Sequence, residues 1–142
     1  MAKNNQQSAE QKIVVGIFRG IWWLISLPFR GIKKTKKLSL EDQKYLIAKK
    51  NEIGEMLKSE NQLELRHAVM EADKLVDWNL RARNYRGQTF ADRLRLAKQK
   101  MPREVYNSIW AGHKVRNRIA HEDGEISAGE LKSAVYNLLK GI

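Results

Sequence analysis

Cysteine is absent from this 142-residue chain. Disulfides, thiol nucleophiles and cysteine-ligated zinc are therefore excluded. A cytosolic domain fits that absence, although many exported proteins also lack cysteine. Proline is nearly absent, with only Pro28 and Pro102. Together with abundant Leu, Lys, Glu, Arg and Ala, this favours helix. No stretch alternates apolar and polar residues long enough to argue for a strand. Histidine is scarce: His67, His113 and His121 form no H-E-x-x-H pattern. A zinc site has no sequence support, and neither a metal nor a cofactor is expected. There is no internal repeat, and no low-complexity stretch beyond a polar N-terminus.

Positive charge is plentiful, and its placement is uneven. Residues 1–38 carry eight Lys/Arg and one acid, Glu10, a net +7. Residues 39–142 carry the remaining +4. The excess sits beside the most apolar run in the chain. An anionic lipid surface accounts for that placement better than a nucleic-acid groove on the domain would.

Residues 1–12 are polar and are expected to be disordered. Ile13 to Phe29 follows, a run of about 17 residues at the lower limit for a bilayer span. Arg19 interrupts it, and Pro28 lies near its end. On a helix, Lys12, Gly16, Arg19, Gly20, Trp23, Ser26 and Arg30 form a small or polar stripe. Val14, Ile17, Phe18, Ile21, Ile25 and Phe29 fall mainly opposite. The pattern predicts an in-plane amphipathic helix over 13–30 more than a uniformly apolar span. Trp22 and Trp23 are side chains that favour the membrane interface. Gly31 to Leu38 is a basic linker, in which Lys33, Lys34, Lys36 and Lys37 would meet anionic headgroups, at roughly 1 kcal/mol each. The expected location is the cytoplasmic face of a membrane, peripheral or single-span. The competing reading is a helix that packs on the domain or on a second copy. A cleaved signal peptide fits least, because no small-x-small site precedes Arg30.

The remainder, 39–142, predicts a helical bundle of four or five helices joined by short loops. Ser39 and Asp42 mark the first start, for a helix to about Lys58 with Leu40, Tyr45, Leu46, Ile53, Met56 and Leu57 apolar. Ser59 or Asn61 can cap the next, to about Tyr85. Leu65, Ala68, Val69, Ala72, Leu75, Val76 and Leu80 give it the clearest core stripe in the chain. Gly87 is the expected stop. Thr89 begins a shorter helix, and Pro102 suits the first turn of the next. Asp123-Gly124 ends that one. Ser127 and Glu130 form the expected capping box of the last helix. The helices over 61–86 and 102–123 are expected to pack antiparallel at the centre.

The segment with chemical potential is Arg116-Asn117-Arg118-Ile119-Ala120-His121, an Arg-Asn pair followed after a short apolar step by histidine. It resembles the R-x4–6-H signature of HEPN domains, including the polar residue directly after the Arg. Its context agrees: it lies near the end of a long helix, with one helix to follow. The sequence HAVMEADKLVDWNL is also similar to the long helix that opens many HEPN bundles. The resemblance covers about 60–142. It implies a bundle that often dimerises and brings two motifs together. Many members are metal-independent endoribonucleases; others bind nucleotides or act as non-catalytic partners, so a nucleotidyltransferase-type or other protein partner is a further expectation. No nucleotide-binding loop supports that directly. Carried over, His121 would be the general acid/base, Arg116 would stabilise phosphate, and Asn117 would orient the histidine or the backbone.

The residues themselves fit metal-free RNA cleavage. Histidine titrates near neutrality and can move the 2′-hydroxyl proton. Arginine offers a fixed cation for charge developing on phosphoryl oxygens. Arg116 and His121 are five apart, about 140° around an ideal helix. They converge only if the helix end distorts or if two subunits share the site. A plainer reading has Arg116 and Asn117 satisfying groups at a helix junction, and His121 facing the helix dipole. Arg81, Arg83, Arg86, Arg93 and Arg95, with Arg118 in the motif, form candidate RNA contacts, against a solvated surface as the plainer alternative. Tyr85 could stack on a base or pack. His67 and Glu71 suggest a surface pair. His113 lies near the motif or faces solvent. Trp78 and Trp110 suggest core or interface. The expected function is binding or cleavage of RNA by a membrane-associated, dimeric HEPN-like protein. The alternative is a non-enzymatic dimerisation or adaptor module tethered to the membrane.

Overall fold

Ser39 opens the first helix of the computed structural model, which describes residues 35–121 and 124–142. Its hydroxyl accepts from the Asp42 N–H (3.1 Å), and the Asp42 carboxylate accepts from the Ser39 N–H (2.9 Å). This reciprocal cap satisfies two helix-end donors at once. The Ser39 hydroxyl and backbone hold the Asp42 carboxyl below its ordinary range. The cap is therefore intact above that range and weakens as the pH falls through the lowered value.

Among the described residues there are five α-helices and no strand: α1 Leu40–Met56, α2 Gln62–Ala82, α3 Phe90–Ala97, α4 Arg103–His121 and α5 Ala128–Leu139. The bundle is all-α, as its composition and spacing predict. Asn61 caps α2, and Thr89 and Asp92 form a second full capping box at α3. Ser127 caps α5 by accepting from the Glu130 N–H (3.2 Å). Here the expected box is only half formed, because the Glu130 carboxylate accepts from Arg118 instead.

The end of α2 differs from expectation. The helix stops at Ala82, and Asn84 rather than Gly87 makes the turn, at φ 71°. The Asn84 N–H bonds to Arg81 O (2.8 Å) and the Tyr85 N–H to Leu80 O (3.0 Å). That pair of bonds is a Schellman motif, and asparagine tolerates its left-handed residue. Gly87 has another role. A Cβ there would lie 2.6 Å from Arg93 N and from Asp92 Cβ, so its bare backbone lets the start of α3 come close.

The predicted stripe of α2 is buried throughout, from Leu65 to Leu80. It meets Leu46, Ile53 and Leu57 from the α1 region, Leu94 and Ala97 from α3, Ile109 from α4, and Leu131, Ala134, Val135 and Leu138 from α5. On α1, Leu40 and Tyr45 are apolar but exposed. Tyr45 nonetheless rests on Trp78, with ring centroids 4.6 Å apart.

Cross-links fix the directions. Lys132 reaches Glu60 (2.8 Å) at one end of α5, and Asn79 donates to Gly141 O (2.9 Å) at the other. So α5 runs along α2 in the same sense. Arg118 meets Glu130 near the start of α5, and Lys140 meets Ser108 (3.3 Å) just past its end. So α4 runs opposite to both. The two long helices are antiparallel, but α5 packs against each more extensively than they pack together.

Gly112 permits that closeness. A Cβ at this position would sit 2.5 Å from Leu138 Cγ and 2.7 Å from Ala134 O. Alanine is the better helix former by about 1 kcal/mol, yet a backbone oxygen cannot step aside cheaply. Overpacking of this kind costs about 1–3 kcal/mol. Gly112→Ala is therefore expected to lower stability by up to about 2 kcal/mol net in urea unfolding. An unchanged or raised midpoint would contradict this account.

Candidate functional site

Asp73 lies on the inward face of α2, 6% exposed. A buried carboxylate needs partners, and α4 supplies two. His113 Nδ1 lies 2.7 Å from Asp73 Oδ1, and Arg116 Nε lies 3.6 Å from Asp73 Oδ2. An ionised carboxylate has no proton to give, so the hydrogen of the first contact belongs to Nδ1. Positions 113 and 116 are three apart and share a helix face. One carboxylate can therefore hold both.

His113 is itself buried and clamped by rings. Phe90 from α3 stacks on it at 4.1 Å between centroids and 9° between planes. Trp110 meets it edge-on at 5.8 Å. Of the two positions the sequence allowed for His113, the structure selects the one beside the motif. Arg116 donates from a terminal nitrogen to Asn117 Oδ1 (3.2 Å), and its side chain is one-third exposed. Arg116 and Asn117 are thus held together at the edge of a buried cluster, within reach of solvent.

His121 is exposed, at the last residue of α4. Because α4 remains helical to that point, the distortion that would turn Arg116 and His121 towards each other is absent. The two lie about 7.5 Å apart along the axis and about 140° apart around it. Within one chain they do not share a face.

The basic stretch divides by role. Arg93 does not belong to a phosphate-facing surface: it is 5% exposed. Its guanidinium meets Asp77 (2.6 Å) and donates to Gly87 O and Gln88 O. Nothing in the local sequence marks it apart from the exposed arginines around it. Arg81 pairs with Asp77 (2.7 Å), Arg83 donates to Asn79 (3.0 Å) and Arg86 to Asn84 (3.0 Å); all three remain exposed. Arg118 is engaged by Glu130. Arg95 pairs with Asp92 (3.3 Å), and its guanidinium lies 5.7 Å from the centre of the Trp110 ring. Contacts thus run from Arg95 through Trp110 and His113 to Asp73 and Arg116. The basic α3 and the motif helix α4 are joined by an aromatic relay that sequence inspection missed. Tyr85 is buried, so it packs rather than offering a face to a base. Trp110 and Trp78 pack against the core, and His67 lies 3.6 Å from Glu71 on the surface of α2.

Among the described residues, no three His, Asp or Glu side chains gather as metal ligands, and no helix is long and apolar enough to cross a membrane. The membrane expectations at Ile17, Phe18, Ile21, Trp22, Trp23, Ile25, Phe29, Lys33 and Lys34 lie outside the described residues. Lys36 and Lys37 lie within them and are exposed. Comparison with protein-family models, curated proteins and solved structures gave no match.

Proposed function

We propose that the chain is a membrane-associated, HEPN-like helical protein that binds and cleaves RNA at Arg116, Asn117 and His121, in a site shared by two copies. The observation that carries this reading is the placement of Arg116. Asp73 holds its Nε side from within, Asn117 fixes a terminal nitrogen, and a third of the side chain faces water. A guanidinium so positioned suits a phosphate, whose developing charge it would meet without reorganising. Arg95 and the neighbouring exposed cations would guide the rest of the strand. His121 would supply the proton-transfer group and, because α4 stays regular to its end, would come from the second copy. Membrane association rests on the apolar run and basic linker of residues 13–38.

A shared site makes a quantitative demand. In a two-fold dimer, residue i of one copy meets residue j of the other, and the reverse. Arg116→Ala and His121→Ala should each abolish EDTA-resistant cleavage of mixed RNAs. Mixed and allowed to exchange subunits, the two variants should regain about a quarter of wild-type activity, because half the dimers hold one intact site of two. Equal cleavage by wild type and His121→Ala, or none by any protein, removes the nuclease. If RNA binding also ignores the Arg116 charge while oligomeric state changes with it, the adaptor reading takes its place. The exposed apolar side chains Ile47, Leu63 and Tyr136 favour that second reading, since they offer contact area to a partner.

A further inference from the structure

Away from α4, the start of α1, the end of α2 and the C-terminal residues enclose an open hollow of about 500 Å³. Its apolar lining comes from Leu38, Leu46, Ile47 and Ile142. Leu46 belongs to the core, whereas Ile47 is 62% exposed. The charged side chains of the lining are of one sign, Lys37, Lys50 and Arg83, and Gln43 adds a neutral polar group. The linker is pinned at its edge by the Lys36 N–H, which donates to Arg83 O (3.0 Å).

We infer that this hollow binds an anionic phospholipid, its acyl chain against Leu46 and Ile47 and its headgroup phosphate at Lys37, Lys50 and Arg83. An apolar hollow alone would accept any hydrocarbon. Three cationic side chains, with no acidic side chain among them, favour an anionic head, and long basic side chains can lie along a chain while their charges stay at the water boundary. An RNA strand would use the cations but not the apolar wall. The hollow also begins at Lys37, the end of the basic cluster that follows the apolar run of 13–29, so lipid would be near at hand. The inference does not use Arg116, Asn117 or His121, and failure of the RNA assay leaves it standing.

Monomeric dihexanoyl phosphatidylglycerol, kept below its micelle concentration, tests it on the full chain. Calorimetry and amide chemical shifts should show saturable binding, with shifts at residues 37–50, Arg83 and Ile142. Ile47→Asp and Lys50→Glu should each weaken it by about fivefold or more. Both positions are exposed, and thermal melts will verify that the variants fold. The phosphatidylcholine analogue should bind at least about fivefold more weakly, and glycerol phosphate should not compete. Lys114→Glu, exposed on α4 and away from the hollow, should leave binding unchanged. Equal binding of the choline lipid overturns the inference. So does wild-type affinity in both hollow variants, loss of binding in Lys114→Glu, competition by glycerol phosphate, or no binding at all.

Discussion

Asp77→Ala should destabilise the bundle by about 3–5 kcal/mol, the largest effect expected of any single substitution here. The reason lies in what it leaves behind. Arg93 is enclosed between α2, α3 and the loop before α3, with its side chain 6% exposed. A guanidinium stays protonated in proteins, so the charge cannot be relieved by losing a proton. Gly87 O and Gln88 O would still accept from it, but neutral carbonyls do not balance a full charge. Arg81, the other partner of Asp77, is well exposed and would simply hydrate. The double variant Asp77→Leu with Arg93→Met should be markedly more stable than Asp77→Ala, because apolar replacement removes the buried charge with its counterion. Urea unfolding of the two single variants and the double closes the cycle. If Asp77→Ala loses under about 1 kcal/mol, the pair is not the lock between α2 and α3 that its burial implies.

Asp73→Ala comes second, at about 2–3 kcal/mol. The expected loss is smaller because both partners have an escape. An imidazole can remain neutral when its carboxylate is gone, and Arg116 is one-third exposed to water. What persists is a buried Nδ1 hydrogen without an acceptor, beneath the Phe90 ring. Asp73→Asn keeps an oxygen in place and should recover most of the loss in thermal or urea unfolding. It does not restore the charge that faces Arg116. The aspartate-to-asparagine change thus separates two roles. Stability follows the hydrogen bond to His113, whereas RNA affinity, on the proposed reading, follows the charge that orients Arg116. An Asp73→Asn protein that is stable yet binds RNA less well agrees with a positioning role. One that is stable and unaltered towards RNA shows that Asp73 serves the fold alone.

Much of the architecture was open to inspection in the linear chain. The stripe from Leu65 to Leu80 repeats at three and four and is buried as spaced; in α5, Leu131, Ala134, Val135 and Leu138 are buried at the same spacing, and Leu139 is half-buried. Ser39, Asn61, Thr89 and Ser127 cap their helices within three residues, so their bonds depend on local geometry alone. At the start of α5 a distant partner intervenes. Glu130 left its half of the capping box for Arg118. The stop of α2 expected at Gly87 falls instead at Asn84, whose short polar side chain tolerates the left-handed conformation.

The candidate site shows the same division. Arg116, Asn117 and His121 are visible as a motif because they are close in sequence. Arg93 and Arg95 look alike there, two residues apart in one basic stretch. Burial separates them: Arg93 faces Asp77, sixteen residues away, and Arg95 lies over Trp110 at the surface. Asp73 and His113 are forty residues apart, and no pattern links them.

By itself, then, the sequence determined where helices begin and which of their faces are apolar, because those depend on residues within a turn of one another. It also determined where charge is concentrated, since charge can be counted. The tertiary structure alone decided which charges face water and which are locked inside. It likewise decided that α5 packs on both long helices more extensively than they pack on each other, and that His113 rather than His121 shares a carboxylate with Arg116. Such pairings arise only when separate helices meet, and the energy of a buried charge depends on what surrounds it.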